Sequence, residues 1–363
     1  MAYLLLGILL GPTGLAILDD RIVEKLSPVT TIALFWIGFL FGVNLNWRDL
    51  KKVQKSIFIL AFGQSIFTFF LVALAFYYIL LNHFENTLNH QVLLAALITL
   101  AACASGTNQS TILRLIHDRR FRGPTARIAA VIATLDDLPA IIITGLLTFF
   151  VHRSFPHEIL MPGLNWLAAA IALGLIGGAV MRLLLNRVPS DQVRLLIVIG
   201  CMAFGGGLSA FLHLSPIFIG AIMGAAFVNA GPRDEKIFRI VHQGESTIYV
   251  LFLLLVGSML HIKDFNWLSL GLMYFTIRAI LKILGNYLFM LPSQQIGNLK
   301  PARLLGLSLL SQGGMALAIA VHYRSLYASP FADSIVAVIV CGVVVSELFS
   351  YPLALRVAAR DHQ

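Results

Sequence analysis

Residues 133–139 read Ala-Thr-Leu-Asp-Asp-Leu-Pro and carry two adjacent carboxylates, Asp136 and Asp137, at the centre of an apolar segment from about 124 to 151. A carboxylate at membrane depth is costly, and by default it marks an ion or proton pathway. Adjacent helical residues point about 100° apart, so one carboxylate can face a cavity while the other faces a packed neighbour. The doublet therefore favours a cation- or proton-handling membrane protein over a buried pair that only holds helices together.

The composition agrees with a membrane location. The chain has 363 residues, of which 58% are hydrophobic and 12% are charged, with a mean hydropathy of +0.87. Soluble domains carry about 25% charged residues, so this composition excludes a cytosolic enzyme, a disulfide-stabilised secreted domain and a disordered chain. The near-continuous apolar stretches, roughly 16 to 28 residues long, have the length of membrane-spanning helices.

We therefore expect an all-α polytopic membrane protein with about twelve transmembrane helices. The predicted segments lie at about 2–18, 28–45, 56–82, 91–116, 124–151, 159–186, 192–212, 214–230, 240–262, 266–291, 302–323 and 331–356.

The basic residues predict the orientation. Of the 26 Lys and Arg residues, 19 lie in alternate loops or ends, five lie in the intervening loops, and Arg278 and Lys282 lie within a segment. Cytoplasmic loops carry an excess of Lys and Arg, so we predict a cytoplasmic (inner) membrane protein with both termini inside. The same bias accounts for the net charge of +9 without a nucleic-acid partner.

The two halves of the sequence repeat. Residues 41–50 match residues 256–265, and residues 7–11 match residues 220–224, so segment n pairs with segment n+7. Seven is odd, so paired helices run in opposite directions, which is typical of secondary transporters built from inverted repeats. The predicted division is a single transporter domain over 1–363, with repeat one at about 1–151, a linker helix at about 159–187 and repeat two at about 191–357.

Two matched segments contain small polar runs. Segment four carries Ser105, Gly106, Thr107 and Asn108, and segment eleven carries a Ser-Gln-Gly-Gly run that includes Gln312 and Gly313. Glycine weakens a helix, and freed carbonyls can coordinate cations. These runs predict two broken helices that cross at mid-membrane; small residues for close helix packing are the alternative.

Two cations need partners at membrane depth. Arg278 and Lys282 are four residues apart and share a helix face. Uncompensated buried cations are very unfavourable, so we expect acidic partners among Asp136, Asp137 and Glu347. Arg278 keeps its proton, which favours a structural pairing; for Lys282 a purely structural salt bridge is the alternative to a role in transport.

Four stretches resemble a known family. They are the Gly-Pro-x-Gly-Leu stretch within residues 6–15, the Leu-Asp-Asp stretch at 135–137, the Lys-x-x-Gly stretch at 282–285 and the Leu-Leu-Ser-Gln-Gly-Gly stretch at 309–314. Together they resemble the monovalent cation:proton antiporters of the Kef/Nap type, in the sodium/proton exchanger branch. Nap-type members have one more helix before the first motif, whereas this sequence begins inside the helix that carries that motif.

The resemblance implies roles for individual residues. Asp137 looks like the ion- and proton-binding carboxylate, Asp136 like the partner of Lys282, and Thr107 with Asn108 like the residues at the crossing point. The resemblance also implies a homodimer, with core helices at about 56–151 and 266–356 and a dimer scaffold at about 1–45 and 192–262. Arg278 and Glu347 are charges that the family pattern does not lead us to expect.

The expected function is antiport of Na⁺ (or Li⁺) against H⁺ by alternating access, with no cofactor and no enzymatic activity. K⁺/H⁺ antiport is the nearest alternative, although potassium-type relatives usually replace the first aspartate by glutamine. A sodium-coupled symporter of an organic anion and a non-transporting sensor remain open alternatives. An intramembrane aspartyl protease is disfavoured, because its two aspartates must face each other from separate helices.

Overall fold

A computed structural model describes residues 2–84, 90–117, 123–152, 163–231, 235–260, 266–296, 305–327 and 329–360, and it holds no strand within these ranges. The helices are α1 (Ala2–Leu10), α2 (Asp20–Lys25), α3 (Ser27–Val43), α4 (Trp47–Leu50), α5 (Lys55–Phe84), α6 (His90–Ser105), α7 (Gln109–His117), α8 (Pro124–Leu135), α9 (Asp137–His152), α10 (Gly163–Arg187), α11 (Asp191–Phe211), α12 (Pro216–Asn229), α13 (Glu235–Gln243), α14 (Glu245–Ser258), α15 (Asn266–Ile296), α16 (Leu305–Ser308), α17 (Gly314–Leu326) and α18 (Pro330–Arg360).

The all-helical prediction is confirmed. Eight helical stretches among the described residues are long and apolar enough to cross a membrane, and α3 and α12 are shorter apolar helices. Each of the twelve predicted segments contains at least one helix. The second copy of the repeated motif runs into residues 261–265, which lie outside the described residues.

Segments one and nine are less continuous than their apolar character suggested. Segment one does not stay helical to residue 18, because α1 ends at Leu10 and is followed by Pro12, which lacks the N–H that a helix needs. The chain turns back there, and the Leu15 N–H donates to the Leu9 carbonyl oxygen at 2.7 Å. Segment nine is two helices, α13 and α14, that meet at Gly244.

The chain forms two compact units, each made from two separate stretches of sequence. Unit 1 contains Met1–Lys51 and Thr144–Leu260, and unit 2 contains Lys52–Ile143 and His261–Gln363. The helix predicted as a linker, α10, packs on α12 within unit 1. The assignment of a scaffold role and an ion-carrying role to these helices stays a prediction.

Unit 1 is held together by close helix contacts at glycine. Helices α3 and α12 face each other. A Cβ added to Gly42 would lie 2.0 Å from the Ala221 carbonyl oxygen, and one added to Gly224 would lie 2.0 Å from the Phe39 carbonyl oxygen. A Cβ added to Gly7 would lie 2.2 Å from the Leu254 carbonyl oxygen, where α1 packs on α14. The Gly-x-x-x-Gly spacings therefore serve backbone-to-backbone packing, as small residues do between membrane helices.

Unit 2 is built around long helices that enclose the interrupted ones. Helix α5 packs on α6 and α15, and α18 packs on α15, α16 and α17. The carboxylates and cations at membrane depth that the sequence singled out all lie in this unit.

Substitution of Gly224 by Ala tests the α3–α12 contact. The added methyl group cannot fit against the Phe39 carbonyl, so the helices must separate at a cost of about 1–3 kcal/mol. We expect a lower melting temperature for the purified Gly224→Ala protein. Gly200→Ala in α11 is the matched control, because nothing lies within 4 Å of its added Cβ. Equal melting temperatures for the two variants would contradict the close contact.

Candidate functional site

The site begins with two interruptions in helices of unit 2. Helix α6 ends at Ser105 and α7 starts at Gln109, which leaves residues 106–108 outside helical conformation. Helix α16 ends at Ser308 and α17 starts at Gly314, which leaves residues 309–313 between them. These are the runs that the sequence analysis singled out.

The two interruptions contact each other through their backbones. The Asn108 N–H donates to the Ser311 carbonyl oxygen at 2.9 Å, and the Thr107 hydroxyl lies 3.2 Å from the Leu309 carbonyl oxygen. A Cβ added to Gly313 would lie 2.4 Å from the Asn108 side-chain carbon, so only glycine fits at that point. The unwound segments therefore cross in direct contact.

Arg278 binds the carbonyl groups at this crossing. Its guanidinium donates to the carbonyl oxygens of Ala104 at 3.0 Å and Gly106 at 2.7 Å on one chain segment. On the other segment it donates to those of Leu310 at 2.7 Å and Ser311 at 3.5 Å. Asp136 and Asp137 act on Arg278 electrostatically, but no carboxylate of the described residues forms the direct ion pair that was expected. Carbonyls at helix ends lack intrahelical donors and carry partial negative charge, so they take the place of a carboxylate.

Lys282 pairs with Asp136. The Lys282 ammonium lies 2.8 Å from Asp136 Oδ2, both side chains are fully buried, and the ammonium also donates to the Ser105 carbonyl oxygen. Asp136 is further bound by the Thr107 hydroxyl at 2.6 Å and by the Thr107 N–H at 3.2 Å. This is the pair that the resemblance implied.

Helix α5 contributes two polar residues that the sequence analysis did not single out. The Gln64 amide donates to Asp136 Oδ2 at 3.2 Å, and the Ser65 hydroxyl donates to the Asp136 carbonyl oxygen at 2.9 Å. Both residues are fully buried. A Gln-Ser pair inside a long apolar segment was the available signal, but only the packing of α5 shows which group it binds.

Asp137 follows a one-residue break in its segment rather than lying inside a continuous helix. Helix α8 ends at Leu135, Asp136 forms a turn, and α9 starts at Asp137. Pro139 cannot donate the N–H that would bond to the Leu135 carbonyl, which explains why the helix is interrupted here.

The Asp137 carboxylate lies against the unwound segment. A Cβ added to Gly106 would lie 1.8 Å from Asp137 Oδ1, so the carboxylate occupies the space beside this glycine. Asp137 is half-buried, and within the described ranges no group donates a hydrogen bond to its side chain. The adjacent Asp136 is fully bonded, so the two carboxylates of the doublet lie in different environments.

Glu347 on α18 also reaches the crossing, but it does not pair with either buried cation. Its Oε1 accepts a hydrogen bond from the Asn108 amide at 2.7 Å and lies 3.2 Å from the Thr111 hydroxyl. The expectation that Glu347 is a partner for Arg278 or Lys282 was therefore wrong. Its neighbours are the last residue of the unwound segment and the first turn of α7.

The remaining predicted residues support the breaks. The Gln312 amide donates to the Cys103 carbonyl oxygen at 2.7 Å and to the Tyr274 hydroxyl at 2.8 Å. The Ser105 hydroxyl donates to the Ala102 carbonyl oxygen at 2.8 Å. These bonds anchor the ends of the interruptions to the helices around them.

Arg278→Lys tests whether the guanidinium holds the crossing. An ammonium has three donors and cannot span four carbonyls, and each unsatisfied buried carbonyl costs about 1–3 kcal/mol. We expect a clearly lower melting temperature in detergent, whereas Arg324→Lys, at a half-exposed pair with Asp333, should change it little. An Arg278→Lys protein as stable as the wild type would contradict this role.

The structure is similar to that of the sodium proton antiporter MjNhaP1 from Methanocaldococcus jannaschii at pH 8. The TM-score is 0.71 at 17% sequence identity, covering 99% of this chain and 91% of that chain. A second structure of the same antiporter, from an EM map, matches with a TM-score of 0.59 at 16% identity, covering 99% of this chain and 90% of that one.

The sequence itself identifies the family. The family described as "Sodium/hydrogen exchanger, transmembrane" matches residues 1–358. This match confirms the predicted relation to the monovalent cation:proton antiporters. The chain belongs to the sodium/hydrogen exchanger family of membrane transporters.

Proposed function

We propose that this protein exchanges Na⁺ (or Li⁺) for H⁺ by alternating access, with Asp137 as the carboxylate that binds either the cation or the proton. Membership of the sodium/hydrogen exchanger family supports Na⁺ over the K⁺ alternative, and a transporter over an enzyme. The observation that carries the site assignment is the environment of Asp137. It is a carboxylate beside unwound backbone that receives no hydrogen bond within the described ranges.

The balance of charges around the crossing supports the exchange of one ion for the other. Asp136, Asp137 and Glu347 contribute three negative charges when ionised, and Arg278 and Lys282 contribute two positive ones. The excess is one negative charge. One Na⁺ or one proton neutralises it, and a second would create a costly excess of positive charge at membrane depth. This arithmetic favours binding of one ion at a time.

The roles of the neighbouring residues follow from their bonds. Lys282 neutralises Asp136 and so leaves Asp137 as the carboxylate that needs a mobile positive charge. Thr107 and Asn108 fix the unwound segment, and the missing side chain at Gly106 leaves room for the Asp137 carboxylate beside the backbone. Carboxylate and backbone carbonyl oxygens are the ligands that hard cations prefer.

The proposal includes an arrangement in the membrane. The protein functions as a homodimer in the cytoplasmic membrane, with the helices at about 1–45 and 192–262 as the dimer scaffold and both termini in the cytoplasm. The homodimer and the scaffold rest on the family resemblance, and the orientation rests on the distribution of Lys and Arg.

Asp137→Asn tests the carrier role. The amide keeps the shape of the side chain but removes its charge and its titratable proton. We expect Na⁺-dependent dissipation of a pH gradient in proteoliposomes to fall to the level of protein-free liposomes. Asp191→Asn, at an exposed carboxylate on α11, is the control and should keep wild-type exchange. Measurements with Na⁺, Li⁺ and K⁺ separately test the ion class. Near-normal exchange in the Asp137→Asn protein would reject the assignment.

Reporter fusions test the orientation. A reporter fused after residue 363 should be cytoplasmic, because the basic loops predict an inside terminus. A reporter inserted between residues 86 and 89, which lie outside the described residues, should be external. The opposite result at either position contradicts the proposed topology.

A further inference from the structure

Three carboxylates contact three consecutive residues of the unwound segment 106–108. Asp137 lies against the first of these residues, Asp136 bonds to the second and Glu347 bonds to the third. Consecutive Cα atoms are about 3.8 Å apart, so the first and third residues are no more than about 7.6 Å apart at Cα. Asp137 and Glu347 therefore contact nearby residues of one short segment, Asp137 beside Gly106 and Glu347 at the side chain of Asn108.

These three carboxylates differ in how their charge is balanced. Asp136 has Lys282 as its counter-ion at 2.8 Å. Glu347 is half-buried within the long helix α18, and no Lys, Arg or His lies within ion-pair distance of it in the described part of the chain. An ionised carboxylate at membrane depth without a counter-ion is costly. Glu347 thus has no local counter-ion among the described residues, and the single mobile cation that balances the crossing can contact Glu347 as well as Asp137.

The Glu347 carboxylate also has acceptor positions that no hydrogen bond of its two neighbours occupies. A carboxylate offers about four acceptor positions, and its two hydrogen-bonding neighbours, the Asn108 amide and the Thr111 hydroxyl, supply one donor each. The Asn108 amide oxygen accepts the Ser110 N–H at 3.2 Å, so Asn108 orients the carboxylate. The Thr111 oxygen, 3.2 and 3.4 Å from the two carboxylate oxygens, accepts the Asn108 amide at 2.9 Å and keeps one further acceptor position for a hard cation.

We propose that Glu347 and Thr111 form a staging site for the transported monovalent cation, from which it passes along the unwound segment to Asp137. The site lies on the side of the interruption that leads into α7, which is the cytoplasmic side in the proposed orientation. The proposal rests on the proposed exchange at Asp137, and it adds a second point of cation contact on the route to that carboxylate.

Glu347→Gln separates this role from a structural one. Glutamine keeps the size of the side chain and an oxygen that accepts from Asn108 and Thr111, and it removes only the charge. We expect the apparent KM for Na⁺ in proteoliposomes and the apparent Kd for ²²Na⁺ on the purified protein to rise about tenfold, with an unchanged maximal rate. Thr111→Val should raise both constants by a smaller factor. Glu347→Asp keeps the charge and should lie between the wild type and Glu347→Gln.

The controls and conditions make the result decisive. Glu24→Gln, at an exposed residue of α2, should leave both constants unchanged. The rise should persist in 0.3 M choline chloride if Glu347 contacts the ion, because screening weakens only the longer-range attraction. A rise that disappears in choline chloride, or a lower melting temperature with unchanged constants, overturns the staging site. If the wild type exchanges Na⁺ and both constants are unchanged in Glu347→Gln, the staging site is overturned but the role of Asp137 is not. If the wild type does not bind Na⁺, both proposals are overturned.

Discussion

The unwound backbone at residues 106–108 leaves the carbonyl oxygens of residues 104–106 without their helical donors, and the site depends on how they are satisfied. In a continuous helix the Asn108 N–H would bond to the Ala104 carbonyl, but here it bonds to Ser311. Arg278 donates to the carbonyl groups of residues 104 and 106, and Lys282 donates to that of residue 105. Because an unsatisfied polar group in a membrane costs several kcal/mol, two cations one helical turn apart on α15 make the interruption tolerable.

Arg278 and Lys282 bind different kinds of groups. Arg278 is bound to carbonyl groups on both sides of the crossing and keeps its charge at any physiological pH, so its role is structural. Lys282 is divided between a carbonyl and Asp136, so its bonds depend on the charge of a carboxylate. Asp137, next along the chain, forms no ion pair with either cation in the described part of the chain. This division leaves one carboxylate beside the crossing for a mobile ion.

Much of this arrangement could be predicted from the sequence, because each predicted feature has a local signature. Apolar length predicts the spans, the small polar runs predict the interruptions, and the aspartate doublet stands out in an apolar segment. The carbonyl partners of Arg278 could not be predicted, because every residue has a backbone carbonyl and none is marked in the sequence. The rule that buried cations pair with acidic residues instead predicted carboxylate partners. The bond from Gln64 was missed for a related reason. A polar residue in an apolar helix gives no information about which neighbour it meets until the helices are packed.

The one-residue break at Asp136 assigns the two carboxylates of the doublet to different helical elements. On a straight helix the two carboxylates would be held by one rigid element, and the bonding of one would constrain the other. Here the turn at Asp136 ends α8, and Asp137 begins α9, so the first carboxylate is fixed by Lys282 and Thr107 while the second belongs to the next helix. The same separation places Asp137 at the first turn of α9, where free N–H groups favour negative charge. Because no side chain of the described residues pairs with Asp137, a cation or a proton from solution must balance the charge of this carboxylate.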